Sequence, residues 1–230
     1  MDKCDLSIEY MRVSALFGGG HSIAWELLCR FEWAWEALGF IETYVGKLGA
    51  GLDEVEYERR AENVWIHKSA KIAPSAFIGS NVIIGADTEV RHCAFIRNDV
   101  IIGNGAVIGN STELKNVILF DKVQVPHYNY VGDSILGYKA HFGAGVITSN
   151  VKSDSSLVTV NCGDNRLETD RKKFGAIVGD NVEIGCNAVL NPGTVIGANA
   201  TIYPLSMVRG FIPANSIYKK HGDISIKRQS

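Results

Sequence analysis

His127 lies in the run Val125-Pro126-His127-Tyr128-Asn129-Tyr130-Val131-Gly132-Asp133, directly after a proline. Imidazole takes up a proton near neutral pH, so a histidine held at a rigid corner suits general-base work. The chain has six histidines, and a plain packing or surface role competes with a catalytic one at His127 as it does at His21, His67, His92, His141 and His221. Upstream, Arg97 and Lys115 stand 18 residues apart. Stacked, a guanidinium fork and an ammonium point charge can clamp a phosphate. The plainer reading is two solvated charges, with Glu113 near enough to pair with Lys115. Gly18-Gly19-Gly20 invites a phosphate-loop reading, but no Lys-Ser/Thr pair follows it, so the glycines read as a joint before a helix.

Something must hold these residues at corners, and the hydrophobic pattern says what. Ile66, Ile72, Ile78, Ile84, Val90, Ile96, Ile102, Ile108, Leu114 and Phe120 recur every sixth residue. Tyr130, Leu136 and Phe142 resume the beat after a change of phase, and Val178, Ile184, Leu190, Ile196, Ile202 and Val208 carry it again. A helix has no period of six, and a plain strand has a period of two. Short strands joined by turns and coiled into a β-helix, one hexad to each side, do have it. Three hexads make one triangular coil, so the 18-residue spacing stacks Arg97 on Lys115. Ala70, Ala76, Ala94 and Ala106 fit the narrow inner corners, and glycine and asparagine suit the turns.

The hexads divide the chain into an N-terminal segment (1–60), a β-helix domain (61–210) and a tail (211–230) carrying Lys219, Lys220, Lys227 and Arg228. Ser22 is placed to cap an amphipathic helix over about 22–47, where Trp25, Leu28, Phe31, Trp35 and Leu38 make an apolar stripe. Residues 149–173 abandon the hexads. Leu157 to Val160 alternates, Gly163-Asp164-Asn165 reads as a turn, and Arg166 to Asp170 can return antiparallel, so a hairpin loop ejected from the solenoid is expected.

A net charge of −2 gives no electrostatic case for nucleic acid or an anionic membrane. No apolar run approaches a membrane span, and the N-terminus has no signal-peptide core. The cysteines Cys4, Cys29, Cys93, Cys162 and Cys186 are odd in number, scattered and without a Cys-x-x-Cys pair. That composition fits reduced thiols in a cytoplasm better than a disulfide frame or a zinc site.

Three motifs in order are specific: Gly109-Asn110-Ser111-Thr112-Glu113-Leu114-Lys115, then Pro126-His127 with Asn129-Tyr130 and Gly132-Asp133, then Gly143-Ala144-Gly145 with Ile147-Thr148 and Asn150. Together they resemble the acetyltransferase half of the bifunctional sugar-1-phosphate nucleotidylyltransferase/glucosamine-1-phosphate N-acetyltransferases over about 64–210. The insert ending in Arg171-Lys172-Lys173 looks like the archaeal-type branch. The resemblance implies an all-β fold, a left-handed parallel β-helix of hexapeptide repeats, assembling as a homotrimer with sites between subunits. It implies acetyl-CoA as acyl donor, an amino-sugar phosphate as acceptor and no metal in the transfer. By that resemblance His127 is the general base and Glu113 an acidic residue of the active site. Arg97, Lys115 and Tyr130 would hold the sugar phosphate, with His141 at a position where the bacterial family has asparagine. Ala144, Asn150, Lys173 and Cys186 would line the coenzyme, Cys186 replacing a family serine. The nucleotidylyltransferase domain and its activity are not expected from this sequence.

Overall fold

The computed structural model describes residues 7–227, so Cys4 and Arg228 lie outside the described range. The chain forms a left-handed parallel β-helix with three faces, and each face is a parallel sheet stacked coil on coil. On face 1 the inward row runs Ile78, Ile96, Leu114, Val131, Thr148, Leu190 and Val208. On face 2 it runs Ile66, Ile84, Ile102, Leu119, Leu136, Val178, Ile196 and Ile212. Face 3 contributes Ile72, Val90, Ile108, Val125, Phe142, Ile184, Ile202 and Tyr218. These rows fill the interior, which the narrow triangle seals with Ala94, Ala106, Ala140 and Ala188, all almost wholly buried.

The change of phase sits one side earlier than the simple hexad count places it. The strand Glu113–Leu119 pairs Leu119 with Ile102, and its register slips between Ile96 and Val100. One residue is missing from the corner, so the inward position after Leu114 is Leu119, not Phe120. Phe120 is buried for another reason: it packs outward against Phe17, with ring centroids 4.9 Å apart, and against the edge of Trp25. The next inward positions are Val125 and Val131, so Tyr130 points outward, opposite Glu113 and Ile147.

The N-terminal stripe does not make one helix over 22–47. It breaks into α-helix Trp25–Leu28, 3-10 helix Ala34–Gly39 and α-helix Ile41–Gly49. Ser22 does not cap it: the N-cap of the first piece is Ala24, without a side-chain bond, and the Ser22 hydroxyl accepts from Ala24 N–H at 3.1 Å in the turn before. Trp33 is extended, bridges Arg12, and has its N–H bound by Glu36 at 2.9 Å. Trp35 stacks on Phe174 at 5.8 Å. Tertiary docking of bulky aromatics thus overrides a modest helix propensity. These pieces lie on face 2, the Ile41–Gly49 helix crossing its first three two-sided strands.

The tail also differs from expectation. Phe211–Ile212 and Ser216–Lys220 continue faces 2 and 3, and only Asp223–Ile226 turns back antiparallel to close the end. The insert is a hairpin, Thr159–Cys162 against Asn165–Glu168.

Candidate active site

At the corner leading from face 3 into face 1, backbone hydrogen bonds climb from coil to coil. Tyr128 N–H donates to Asn110 O (2.9 Å), Gly145 N–H to His127 O (3.0 Å) and Asn187 N–H to Ala144 O (2.8 Å). Asn110, His127, Ala144 and Cys186 therefore form one column, which unites residues from separate sequence motifs. Coils can lie this close only because Gly109 faces Pro126: a Cβ at 109 would stand 1.6 Å from Pro126 O. The His127 ring is exposed, and its position is set by its backbone. Its N–H donates to Asn129 Oδ1 at 3.1 Å, while Asn129 Nδ2 donates to Gly143 O (2.9 Å) and Val146 O (3.3 Å). Asn129 is only 2% exposed. A buried amide with these bonds satisfied pins the His127 corner to the Ala144 coil. The N–H groups of Gly143 and Gly145 are spent on Ile184 O and His127 O, whereas among the described residues Ala144 N–H has no backbone acceptor.

Face 1 presents the second group. Glu113 and Tyr130 are register neighbours on its outward row. Arg97 does stack near Lys115, but each base carries an acid. Arg97 Nη1 donates to Glu113 Oε1 at 3.0 Å, and Lys115 Nζ to Asp133 Oδ1 at 3.3 Å. Glu113 therefore pairs with Arg97 and not with Lys115, the partner its place in the sequence suggested. Asp133 is 2% exposed and also accepts from Asn116 Nδ2 (2.9 Å) and Asn150 Nδ2. Asn150 in turn reaches Tyr130 Oη at 3.3 Å. Burial, and then the carboxylates of Asp133 and Glu113, push the Tyr130 phenol above its ordinary range, so it remains a neutral donor. Arg171 reaches this network from the insert; its burial lowers its pKa and Asp133 opposes that. An arginine stays charged regardless.

The base of the insert is closed by Phe174 N–H donating to Asn150 O at 2.9 Å, which brings Lys173 back beside Asn150. Lys173 is exposed. His141 is placed differently from the other acceptor residues. It lies on the outward row of face 3 with Nδ1 2.7 Å from Glu183 Oε2, across the His127 corner from Tyr130. Sequence reasoning passed over Asp133, Asn116 and Asn129. Their signal was available: Asn81, Asp99, Asn116 and Asp133 form a column of positive φ at the corner from face 1 to face 2, and Asn129 occupies an inward corner position that is Ala94, Thr112, Val146, Ala188 or Ser206 in other coils.

The repeat and the corner column define a hexapeptide β-helix of the transferase type. Residues 175–210 match the bacterial transferase hexapeptide model (six repeats), and residues 86–166 match the GMPPB C-terminal domain. Over 120 residues the chain is 37% identical to the bifunctional protein GlmU of Methanococcus vannielii, a match covering 52% of this chain and 29% of that protein. It is 36% identical over 109 residues to a bifunctional sugar-1-phosphate nucleotidylyltransferase/acetyltransferase of Sulfurisphaera tokodaii, covering 47% and 27%. A putative uncharacterized acetyltransferase of Escherichia coli, YaiX, is 30% identical over 106 residues, 46% of each chain. These matches fit the acetyltransferase half of the bifunctional family. This chain spans under a third of the length of the archaeal relatives in those alignments. Among solved structures, an AntD variant, an N-acyltransferase from Bacillus cereus in complex with dTDP and coenzyme A, overlaps 76% of this chain and 91% of its own at 18% identity and TM-score 0.36. PerB from Caulobacter crescentus, in complex with CoA and GDP-perosamine, overlaps 72% and 57% at 19% identity and TM-score 0.26.

Proposed function

We propose that this protein is an acetyl-CoA-dependent N-acetyltransferase acting on an amino-sugar phosphate, with glucosamine-1-phosphate the first acceptor to test, in the supply of UDP-N-acetylglucosamine. The observation that carries the reading is the column His127–Ala144–Cys186 beside the outward row of Glu113 and Tyr130. The amine nitrogen attacks the thioester carbonyl, and His127 takes its proton, a contribution of roughly 10²- to 10⁴-fold. In this reading the Ala144 N–H donates to the developing oxyanion. The C–S bond then breaks and coenzyme A leaves as thiolate, which the proton from His127 neutralises. Arg97, Lys115 and Tyr130 orient the acceptor, with Glu113 and Asp133 holding the two bases in place. Asn150, Lys173 and Cys186 border the donor.

A homotrimer fits the exposed apolar side chains on face 1, Phe77, Phe95, Val189 and Met207, which a monomer would leave in water. The setting proposed is cytoplasmic; among the described residues no helix is long and apolar enough to cross a membrane. Free-thiol release from acetyl-CoA with glucosamine-1-phosphate, run beside His127→Ala, tests the proposal. Release that persists undiminished in the variant overturns it.

One observation favours a second acceptor, a nucleotide-linked amino sugar. Arg97 and Lys115 are already neutralised by Glu113 and Asp133, which weakens their pull on a bare phosphate dianion. Comparing wild type with His141→Asn on both acceptors separates the two.

A further inference from the structure

The proposed acetyl transfer engages only the two ends of the insert, Asn150 and Lys173, and leaves its hairpin without a role. Strand Thr159–Cys162 turns Val160 and Cys162 inward, both fully buried, and leaves Thr159 and Asn161 on its outer face. The hairpin lies directly on the last coils. Gly210 has φ +74° and passes under Asn161 O, where a Cβ would come within 2.6 Å. Between hairpin and coils is a cleft of about 150 Å³ lined by Lys152, Thr159, Asn161, Arg166, Pro192 and Arg209.

Three cations thus converge from three places: the start of the insert, its return strand and the final coil of face 1. The acids that face them are few and exposed. Glu168 stands 3.5 Å from Arg166, and Asp154 stands 3.9 Å from Lys152, whose ammonium also donates to Ser156 Oγ at 2.6 Å. Arg209 has no carboxylate partner among the described residues. Like charges brought together around a small cleft repel unless an anion joins them, and two guanidinium forks flanked by neutral donors match the oxygens of a phosphate. The volume suits one phosphate group and its water, not a nucleotide.

We propose that this cleft binds a phosphate group of an extended phosphorylated ligand, held by Arg166 and Arg209 with Lys152 as a third charge. Arg209 follows Val208 on face 1, whose coil is two below that of Thr148. That places the cleft roughly 10 Å along the axis from the Ala144 coil, at about 4.8 Å per strand step. A ligand reacting at the corner column can therefore leave its phosphorylated end here. The phosphate belongs either to the coenzyme or to a nucleotide on the acceptor. Only that choice rests on the acetyl-transfer reading; the anion site does not.

The test is calorimetric titration of the full chain with adenosine 3′,5′-bisphosphate and, separately, with UDP, at low and high salt. The variants are Arg209→Ala, Arg166→Ala and the conservative Arg209→Lys, each checked for an unchanged melting profile. Wild type should bind at least one probe, each alanine variant should weaken it about tenfold or more, and Arg209→Lys should recover part of the loss. Wild type binding neither probe, or variants binding as wild type does, overturns the site. Loss confined to the bisphosphate, with a raised KM for acetyl-CoA and an unchanged KM for its 3′-dephospho analogue, assigns the coenzyme. Loss confined to UDP assigns the acceptor. Probe binding that depends on Arg209 in a protein that transfers no acetyl group leaves the site standing and removes the proposed activity. Transfer with wild-type constants in both alanine variants does the reverse.

Discussion

Faces 1 and 2 each turn an apolar row outward, and the two rows end in different surroundings. On face 2 the row is Ile83, Ile101, Ile118, Ile135, Ile177 and Val195, all at 0% exposure beneath the N-terminal segment. On face 1 it is Phe77, Phe95, Glu113, Tyr130, Ile147, Val189 and Met207, where Phe77 is 57% and Met207 66% exposed. The chain spends its own helices on one face and leaves the other open. Face 2 is a core buried on both sides and reads as unbroken aliphatic triplets, Val82-Ile83-Ile84, Val100-Ile101-Ile102 and Val117-Ile118-Leu119. Face 1 interrupts its apolar row with Glu113 and Tyr130, where the candidate chemistry sits. The corners differ too. Those from face 1 to face 2 take Asn or Asp at positive φ in their four upper coils. The corner that carries His127 mixes Ser111, Gly145 and Asn187 with the bulkier Cys93, Tyr128 and Leu205 there. A bulky side chain in that conformation costs of order 1–2 kcal/mol, and strain of this kind collects at functional sites.

The largest effect should come from breaking face 2. Ile101→Asp buries a charge with no partner, and a loss above ~4 kcal/mol is expected, enough to prevent folding. Met207→Asp, the matching insult to face 1, should leave a folded chain and instead shift the oligomeric state by sedimentation or light scattering. If Met207→Asp unfolds the protein as Ile101→Asp does, the contrast between the faces fails.

Next in size is the corner itself. His127→Ala should cost about 10²- to 10⁴-fold in kcat with the melting temperature unchanged. Asn129→Ala should act on both. It leaves the His127 N–H and the carbonyls of Gly143 and Val146 without their side-chain partner, for about 1–3 kcal/mol of stability. It should also lower kcat by letting the His127 corner drift. Urea melts and initial rates on the same preparations separate the two. A kcat loss in Asn129→Ala without any stability loss would mean that the amide touches substrate and does not merely position the histidine.

These residues also show how far the amino-acid order could be read unaided. The hexads disclosed the coils, and the 18-residue spacing disclosed the stacking of Arg97 on Lys115, whereas Ala144 came only with the resemblance. The resemblance brought in Cys186. What stayed hidden was whatever depends on a single missing residue or on docking. One deletion at the corner after Leu114 moved Phe120 and Tyr130 off the inward row, and a second five-residue step, from Val131 to Leu136, put Leu136 and Phe142 back on it. The broken N-terminal helix was illegible because its shape is set by face 2 and by Phe174, not by its own propensity. The triplets of face 2 were a usable signal for a covered face, since a half-solvated strand alternates. The acids on Arg97 and Lys115 were half visible: Glu113 was in view, whereas Asp133 depends on the turn that buries it.

The smallest effect concerns the latch that keeps face 2 covered. Asp180 is 8% exposed, and its two oxygens accept from Gly18 N–H and Tyr138 N–H, each at 2.7 Å. It ties the glycine joint of the N-terminal segment to the corner between faces 2 and 3. Burial raises its pKa above the ordinary 3.8; the two N–H bonds and the nearby His21 oppose the rise without cancelling it. The folded chain therefore holds this proton more tightly than the unfolded one. Stability from this group is fullest below the ordinary value and declines as pH climbs from there through the raised value. Asp180→Asn keeps one acceptor, loses the other and does not titrate. In urea melts the advantage of wild type over Asp180→Asn should be largest at acid pH, of order 1 kcal/mol, and shrink as pH rises through that window. An advantage that grows with pH would mean that the carboxylate is better solvated, or better paired, in the folded chain than its burial implies. The hold of the N-terminal segment on face 2 would then rest on its apolar stripe alone.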